Sequence, residues 1–346
     1  MQIAGQAIGR DAKPFVIAEL SANHNGKIER AYQIIQAAKQ AGADAVKLQS
    51  YRPDTITMDM RTPEFMIDSG LWSGKSLYEL YEWAHMPWEW HAPLFEYARQ
   101  LDITIFSSPF DRTAVDLLED LNAPAYKIAS FEAVDLPLIA YVAQTGKPMI
   151  ISTGMACLEE IQEAVATARD AGCKELALLH CVSGYPAPAH EYHLRTLSDM
   201  QQRFEVPVGL SDHTLDNTTA MASVALGASL IEKHVTLDRT AGGPDDAFSL
   251  EPQALAQLCQ DSRTVWQALG TVHYGSTDSE SVSVQHRRSL YFTRDLPQGH
   301  VLRPDDIQSI RPGHGLAPKH QPGLVGQVLS HAVQRGQPTA WECFDT

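Results

Sequence analysis

A chain of 346 residues with 44% hydrophobic and 20% charged residues has an ordinary globular composition, long enough for one large domain and a small one, or for two of ordinary size. Its formal charge of −15 argues against a general nucleic-acid or anionic-membrane binder, since phosphate would be repelled over most of the surface, although a few local lysines can still hold one small anion. The five cysteines are odd in number and show no CxxC spacing, which argues against a disulfide framework or a zinc knuckle and points to the cytoplasm.

The opening "MQIAGQAIGRDAKPF" lacks a long apolar stretch, so no signal peptide is expected. Short β-rich runs then recur along the chain. They are "FVIAEL" (15–20), "AVKLQS" (45–50), "TIFSSP" (104–109), "YKIAS" (126–130), "MIISTG" (149–154), "LALLHCV" (176–182), "VGLSDH" (208–213) and "LIEKHVT" (230–236). Helix-like segments lie between them. In 29–42, Ala31, Ile34, Ile35 and Ala38 share one face and Gly42 marks the stop; 112–122, 159–172, 218–227 and 252–270 follow the same pattern. The run "TAMASVALGASLI" is too short and too rich in small residues to span a bilayer.

Strands alternating with helices imply parallel pairing by right-handed crossovers. Eight such units predict a (β/α)₈ TIM barrel over residues 1–270. An open doubly wound sheet is the competing architecture, but "AELSANHNG" after the first strand is not the glycine-rich phosphate turn that usually accompanies it. Residues 271–285 are polar and Ser-rich and are expected to be a linker. Residues 286–346 are dense in turn signals, with β segments expected at "SLYFT" and "AVQRG", and form a small β-rich second domain.

In such a barrel the active site lies at the carboxyl ends of the strands. All eight ends carry groups capable of chemistry, including Glu19, Lys47 and Gln49, Ser108, Lys127 and Ser130, Ser152, Ser183 and Tyr185, Ser211 to His213, and Glu232 to His234. Lys47 and Lys127, with several hydroxyls, suit a ligand bearing both phosphate and carboxylate; the plainer alternative for either lysine is a structural ion pair. His213 and His234 end neighbouring strands, so both imidazoles can reach one catalytic metal ion, or each can serve packing alone. Asp212 either orients His213 or caps the loop.

The stretches "IAELSANHNG", "GADAVKLQSY", "FSSPF", "YKIAS", "ISTGM", "GLSDHT" and "IEKHVTLD" together resemble the sialic acid synthase family, and "SLYFTRDLPQGHVLRPDDIQSIRPGHG" is similar to that family's C-terminal antifreeze-like (SAF) domain. Within the family, "GLWSGKSLYELYEWAHMPWEWH" is most similar to the pseudaminic acid synthase branch, and "CVSGYPAP" departs from the Thr-Asn that usually precedes the Tyr-Pro pair in sialic acid synthases. The legionaminic branch stays open.

The resemblance implies condensation of phosphoenolpyruvate with an N-acetylated amino sugar. It implies a divalent metal on His213 and His234, Mn²⁺ by preference with Mg²⁺ or Co²⁺ as alternatives. Phosphoenolpyruvate would be held by Lys47, Ser108, Lys127, Ser130, Ser152, Ser183 and Ser211. Glu19 would orient or deprotonate the attacking water, its plainer role being a buried pair with a lysine. Gln49, Glu132, Tyr185 and Asp245 would face the sugar. Arg311, in "SIRPGHG", would reach the barrel of a partner in a domain-swapped homodimer. The alternatives of another class are a metal-dependent aldolase or hydrolase on the same barrel, and a sugar-binding protein without catalysis.

Overall fold

The computed structural model describes residues 1–345. It divides into two compact units, Met1–Gly270 and a second beginning at Thr271. In the first, a short hairpin of β1 (Gln2–Ile3) and β2 (Gln6–Ala7) precedes eight strands. These are β3 (Phe15–Glu19), β4 (Ala45–Ser50), β5 (Thr104–Pro109), β6 (Tyr126–Ile128), β7 (Met149–Ser152), β8 (Leu176–Cys181), β9 (Val208–Ser211) and β10 (Leu230–His234). All eight pair in parallel, and β10 closes on β3 with Leu230 beside Phe15 and His234 beside Glu19. The expected barrel is therefore present. Its strands begin where the sequence places them and stop up to two residues sooner, because the polar ends turn into loops.

Two cores follow from strand alternation. Outward residues such as Val16, Ala18, Val46 and Ile231 pack against the helices, and the helix at Ile28–Ala41 buries the predicted Ala31, Ile34, Ile35 and Ala38. Inward residues Phe15, Ile17, Ala45, Phe106, Ala125, Ile150, Ala177, Leu179 and Leu230 fill the barrel, and Ile3 and Ile8 from the hairpin region join them. Gly209 takes the inward place on β9, where an added Cβ would lie 2.4 Å from the Leu230 carbonyl oxygen. The segments at Leu77–Ala84, His91–Gln100, Leu136–Ala143 and Thr196–Phe204 are also helical, beyond those predicted above.

In the second unit, β11 (Ser289–Phe292) pairs antiparallel with β12 (Ile307–Ile310) over a core that includes Leu290, Phe292, Leu302 and Leu329. The β segment expected at "AVQRG" is only an isolated bridge from Val333 to Leu296. The chain turns there, with Gly336 at φ +81° and the Gln337 amide donating to the Gln334 carbonyl, so no ladder can extend. Residues 271–285, expected to be a plain linker, carry a short helix at Ser281–Val284, preceded by a reciprocal Thr277–Glu280 cap, with their side chains exposed. Among the described residues no helix is long and apolar enough to cross a membrane.

Candidate active site

The inward position after each apolar layer residue decides the site. Counting two residues on from Ile17, Ala45, Phe106, Ala125, Ile150, Leu179, Gly209 and Leu230 gives Glu19, Lys47, Ser108, Lys127, Ser152, Cys181, Ser211 and Glu232. Every strand thus contributes one polar or thiol side chain to a ring above the apolar plug. The ring is buried: Glu19 is 0% exposed, Lys127 2%, Lys47 3% and Glu232 3%.

Charge in this ring is paired. Lys47 Nζ lies 2.7 Å from Glu19 Oε2 and 3.6 Å from Glu232 Oε1, and donates to Ser108 Oγ at 3.1 Å. Lys127 Nζ donates to both oxygens of Glu232, each at 3.0 Å, and Ser211 Oγ donates to the same carboxylate at 3.3 Å. Burial pulls both amines down. Glu19 and Glu232 together lift Lys47 above its ordinary pKa, whereas Lys127, close to Lys47, stays below its own. Burial also raises Glu19 despite its lysine, which makes this carboxylate a better proton acceptor than an exposed one. Two amines and two carboxylates leave the ring without net formal charge.

Hydroxyl groups converge beside it. The Gly154 amide donates to Ser130 Oγ at 3.2 Å, and a Cβ added at Gly154 would lie 2.4 Å from Ser183 Oγ and 2.8 Å from Ser130 Oγ. Only glycine lets those two hydroxyls share that space. Ser152 Oγ is buried without a hydrogen-bond partner. An unpaired buried hydroxyl is costly, and this one has a proton to donate to a ligand or to water.

One strand period above the ring stand the two histidines, with ring centroids 5.3 Å apart. His213 Nδ1 donates to the Val182 carbonyl at 2.8 Å, so Nε2 is the nitrogen that carries the lone pair when the ring is neutral. Burial pulls the His234 pKa well down, so this imidazole is neutral; its buried Nδ1 has no hydrogen-bond partner, and Asp245 Oδ2 is 3.7 Å away. Against its burial, contact with Cys181 and the Val182 carbonyl raises the His213 pKa, so that imidazole would give up a proton on binding a divalent cation, whereas His234 already offers a lone pair. Among the described residues there is no cluster of three or more His, Cys, Asp or Glu arranged as metal ligands, so the protein would supply two nitrogens and leave the other positions open.

Above the histidines is a cavity of about 190 Å³. Gln49, Glu132, Tyr185 and Asp245 all line it, together with His234. Gln49 donates to Glu19 Oε1 at 3.1 Å and to Ser21 Oγ at 3.0 Å, and Ser21 in turn donates to Asp245. Burial raises the Glu132 pKa to about 7, and its Oε2 has no hydrogen-bond partner. The Tyr185 ring lies 4.5 Å from His213 and 5.1 Å from Phe248.

The barrel thus brings together every candidate residue that the sequence placed in it. Arg311 belongs to the second unit, where it is exposed at the end of β12. Asp212 points outward: its Oδ2 lies 2.9 Å from Lys233 Nζ and its Oδ1 accepts the Thr214 amide at 2.9 Å, so it serves the loop and does not orient His213. Glu232 and Cys181 stand at strand ends in the sequence but have no role assigned there, and Trp72 and Phe248 are not singled out. The same two-residue count that selects Lys47 and Lys127 would have found the first two.

The chain matches the NeuB family over residues 34–274 and the SAF domain over residues 287–345. It is 40% identical to the pseudaminic acid synthase of Helicobacter pylori, over 94% of this chain and 96% of that one. It is 35% identical to the N,N'-diacetyllegionaminic acid synthase of Legionella pneumophila, over 95% and 94%. Among solved structures, the spore coat polysaccharide biosynthesis protein spsE of Bacillus subtilis superposes with a TM-score of 0.68 at 33% identity, over 100% and 99%. A buried polar ring at the mouth of a closed barrel, a following SAF domain and these full-length likenesses agree: the chain belongs to the NeuB family.

Proposed function

We propose that this enzyme is a pseudaminic acid synthase, which condenses phosphoenolpyruvate with 2,4-diacetamido-2,4,6-trideoxy-L-altropyranose and water to give pseudaminic acid and phosphate. The likeness at 40% identity to a protein of that activity supports the sugar, and the ring of Lys47, Lys127, Glu19 and Glu232 supports the chemistry. The ring is the observation that carries the proposal. Its lysines are balanced by carboxylates, so an anion with phosphate and carboxylate can dock only if positive charge is added or protons move. A divalent ion on His213 and His234, Mn²⁺ by preference, supplies that charge and polarises the sugar aldehyde when bound.

The chain's own groups do the rest. Lys47 and Lys127 exchange part of their carboxylate contacts for the ligand's oxygens. Ser108, Ser130, Ser152, Ser183 and Ser211 donate further hydrogen bonds to it. The C2–C3 double-bond pair of phosphoenolpyruvate forms a bond from C3 to the aldehyde carbon and leaves C2 cationic, and the aldehyde oxygen takes up a proton from solvent. Water adds to the cationic C2 and gives its proton to Glu19, which is raised by burial and suited to receive it. The C2–O bond to phosphate then breaks, phosphate leaves with its electron pair, and it takes the C2 hydroxyl proton as the C2 carbonyl forms. Gln49, Glu132, Tyr185 and Asp245 face the sugar from the cavity wall.

The reaction is placed in the cytoplasm, in keeping with five unpaired cysteines. Arg311 is assigned to the sugar's acetamido group in the barrel of a second copy, within a domain-swapped homodimer. Incubation with phosphoenolpyruvate, Mn²⁺ and each of three sugars tests the proposal: N-acetylmannosamine and the two diacetamido-trideoxyhexoses of the pseudaminic and legionaminic series. Mass spectrometry should find product and phosphate from the L-altro sugar first. No consumption of phosphoenolpyruvate with any of them ends the proposal. Arg311→Ala should raise the KM for sugar by roughly 10-fold or more and leave that for phosphoenolpyruvate nearly unchanged, as loss of one charge-assisted contact implies. An unchanged KM removes Arg311 from the site.

A further inference from the structure

The cavity above the histidines has two unlike sides. One is polar, with Gln49, Glu132, Asp245 and His234. The other comes largely from the long segment between β4 and β5: its Tyr51 and Tyr81 hydroxyls lie within the influence of the Asp245 and Glu132 carboxylates, and beside them stand Ile56, Trp72, Leu80 and Ala84. Three of those side chains have no polar atom. The fourth, Trp72, has only its indole N–H, which already donates to the Pro244 carbonyl at 2.9 Å. Trp72 therefore offers a ligand nothing but its ring.

The apolar side is held in place before any ligand arrives. The Pro244 bond ties Trp72 across the mouth to the loop that follows β10, and its ring centroid lies 5.9 Å from that of Tyr185. Tyr185 is itself in ring contact with His213, so the wall begins two rings away from the proposed metal site. Leu80 sits on the helix Leu77–Ala84. That helix is closed at its start by a reciprocal cap: Ser76 Oγ accepts the Glu79 amide at 3.1 Å and the Glu79 carboxylate accepts the Ser76 amide at 2.8 Å. Tyr81 on the same helix meets Tyr51 edge-on at 5.7 Å. A wall fixed from both ends cannot readily turn a polar group toward a ligand hydroxyl.

We infer that Ile56, Trp72 and Leu80 form a specificity wall that accepts a methyl group at the end of the sugar farthest from its aldehyde and disfavours a hydroxymethyl group there. This rests on the sugar-condensing reading given above and assigns the determinant of substrate choice within it. With the aldehyde toward His234, C6 of an open-chain hexose points away from the polar side. A methyl group there loses only water against Ile56 and Leu80. A hydroxyl set against Ile56 and Leu80 would find no partner in either side chain. Apolar pockets reject an added hydroxyl only moderately, by roughly 100-fold at most, so the expected discrimination is about 10- to 100-fold.

Two sugars that differ only at C6 provide the test: 2,4-diacetamido-2,4,6-trideoxy-L-altrose and its 6-hydroxy counterpart. Phosphate release is followed with phosphoenolpyruvate and Mn²⁺ present. The full-length protein should favour the 6-deoxy sugar in kcat/KM by about 10- to 100-fold, mostly through the KM for sugar, with the KM for phosphoenolpyruvate alike for both. Leu80→Asn should shrink the ratio to a few-fold. Ile56→Thr, close in shape and only half-buried, should shrink it in the same direction if Leu80→Asn fails to fold. Equal use of the two sugars by the unaltered protein overturns the wall, and so does an unchanged ratio in a folded variant. Turnover of the diacetamido sugars without C6 preference overturns the wall alone. Turnover of N-acetylmannosamine only defeats both the wall and the substrate assignment beneath it.

Discussion

Strand β10 carries two kinds of lysine–carboxylate chemistry one residue apart, with Glu232 facing inward and Lys233 outward. Facing outward, Lys233 meets Asp212 Oδ2 at 2.9 Å, the Thr214 carbonyl at 2.9 Å and the Asp216 carbonyl at 2.6 Å. Its donors are fully employed, and it ties the β9 loop to the barrel wall. Facing inward, Lys47 and Lys127 share Glu19 and Glu232, and the ring around them includes Ser152 Oγ without a partner. Glu19 Oε2 is within ion-pair distance of Lys47 yet outside good hydrogen-bond angles. Both clusters are buried and both pair their charges. They differ in completeness: the outer one has nothing left to bind, while the inner one has unspent polar capacity beside a cavity. Unspent capacity in a buried site is the physical mark of function, and pairing by itself is not.

The sharpest way to break this contrast is at the inward histidines. His213→Ala should lower kcat by about 1,000-fold or more, the several kcal/mol expected from loss of a Lewis acid, and leave the melting temperature close to that of the unaltered protein. Calorimetric titration with Mn²⁺ should show the lost binding. Asp212→Asn should do the reverse. It strands Lys233 in the wall, which should cost about 3–5 kcal/mol of stability, while kcat per folded molecule stays within about 2-fold. Equal damage to turnover by both changes would erase the distinction between the two faces.

Glu232→Gln sharpens it further. The change strands the inner lysines, but an anionic ligand can replace the lost carboxylate. Phosphoenolpyruvate at about 100 times its Kd should restore roughly 2.7 kcal/mol by mass action, seen as a raised melting temperature. The same addition should raise Asp212→Asn no more than it raises the unaltered protein.

The smallest effect concerns Glu132, whose pKa burial raises to about 7. The folded protein holds this proton between the unfolded carboxyl range near 4.5 and about 7, while the unfolded chain has released it. Stability from this group is therefore full below the lower value and is lost as pH rises toward the upper one. From about pH 5 to about pH 8, the melting temperature should fall a few degrees less for Glu132→Gln than for the unaltered protein. Parallel curves would mean that Glu132 is not desolvated.

The barrel was legible because eight apolar runs alternate with helical periodicity, and strand starts depend on that local pattern. Lys47, Lys127, Ser108, Ser152 and Ser211 were legible because they stand at polar strand ends. Glu232 is visible in "LIEKH" at the same strand end as His234, but its pairing with Lys127 is not, since that joins residues on different strands. Counting from Leu230 in steps of two would have separated Glu232 and His234 from Lys233 and made the lysine's outward role plain. Trp72 could not be assigned in this way. Its place depends on a loop folding back across the barrel to the Pro244 carbonyl, a contact between residues 172 apart that no local periodicity encodes. The strand expected at "AVQRG" failed for a related reason: β propensity was read without the turn at Gly336.

The hairpin of β1 and β2 has a consequence for kinetics. With Ile3 and Ile8 packed among the inward residues, the amino-terminal end of the barrel is stoppered and traffic runs through one door. The lysine ring lies beneath the cavity on that single route. Whatever docks on the ring must arrive before the cavity above it is filled, and what remains there must wait until the cavity empties. Under the proposed function, phosphoenolpyruvate on the ring would bind before the sugar and phosphate would leave after the sugar acid, an order set by the shape of a vessel with a closed base.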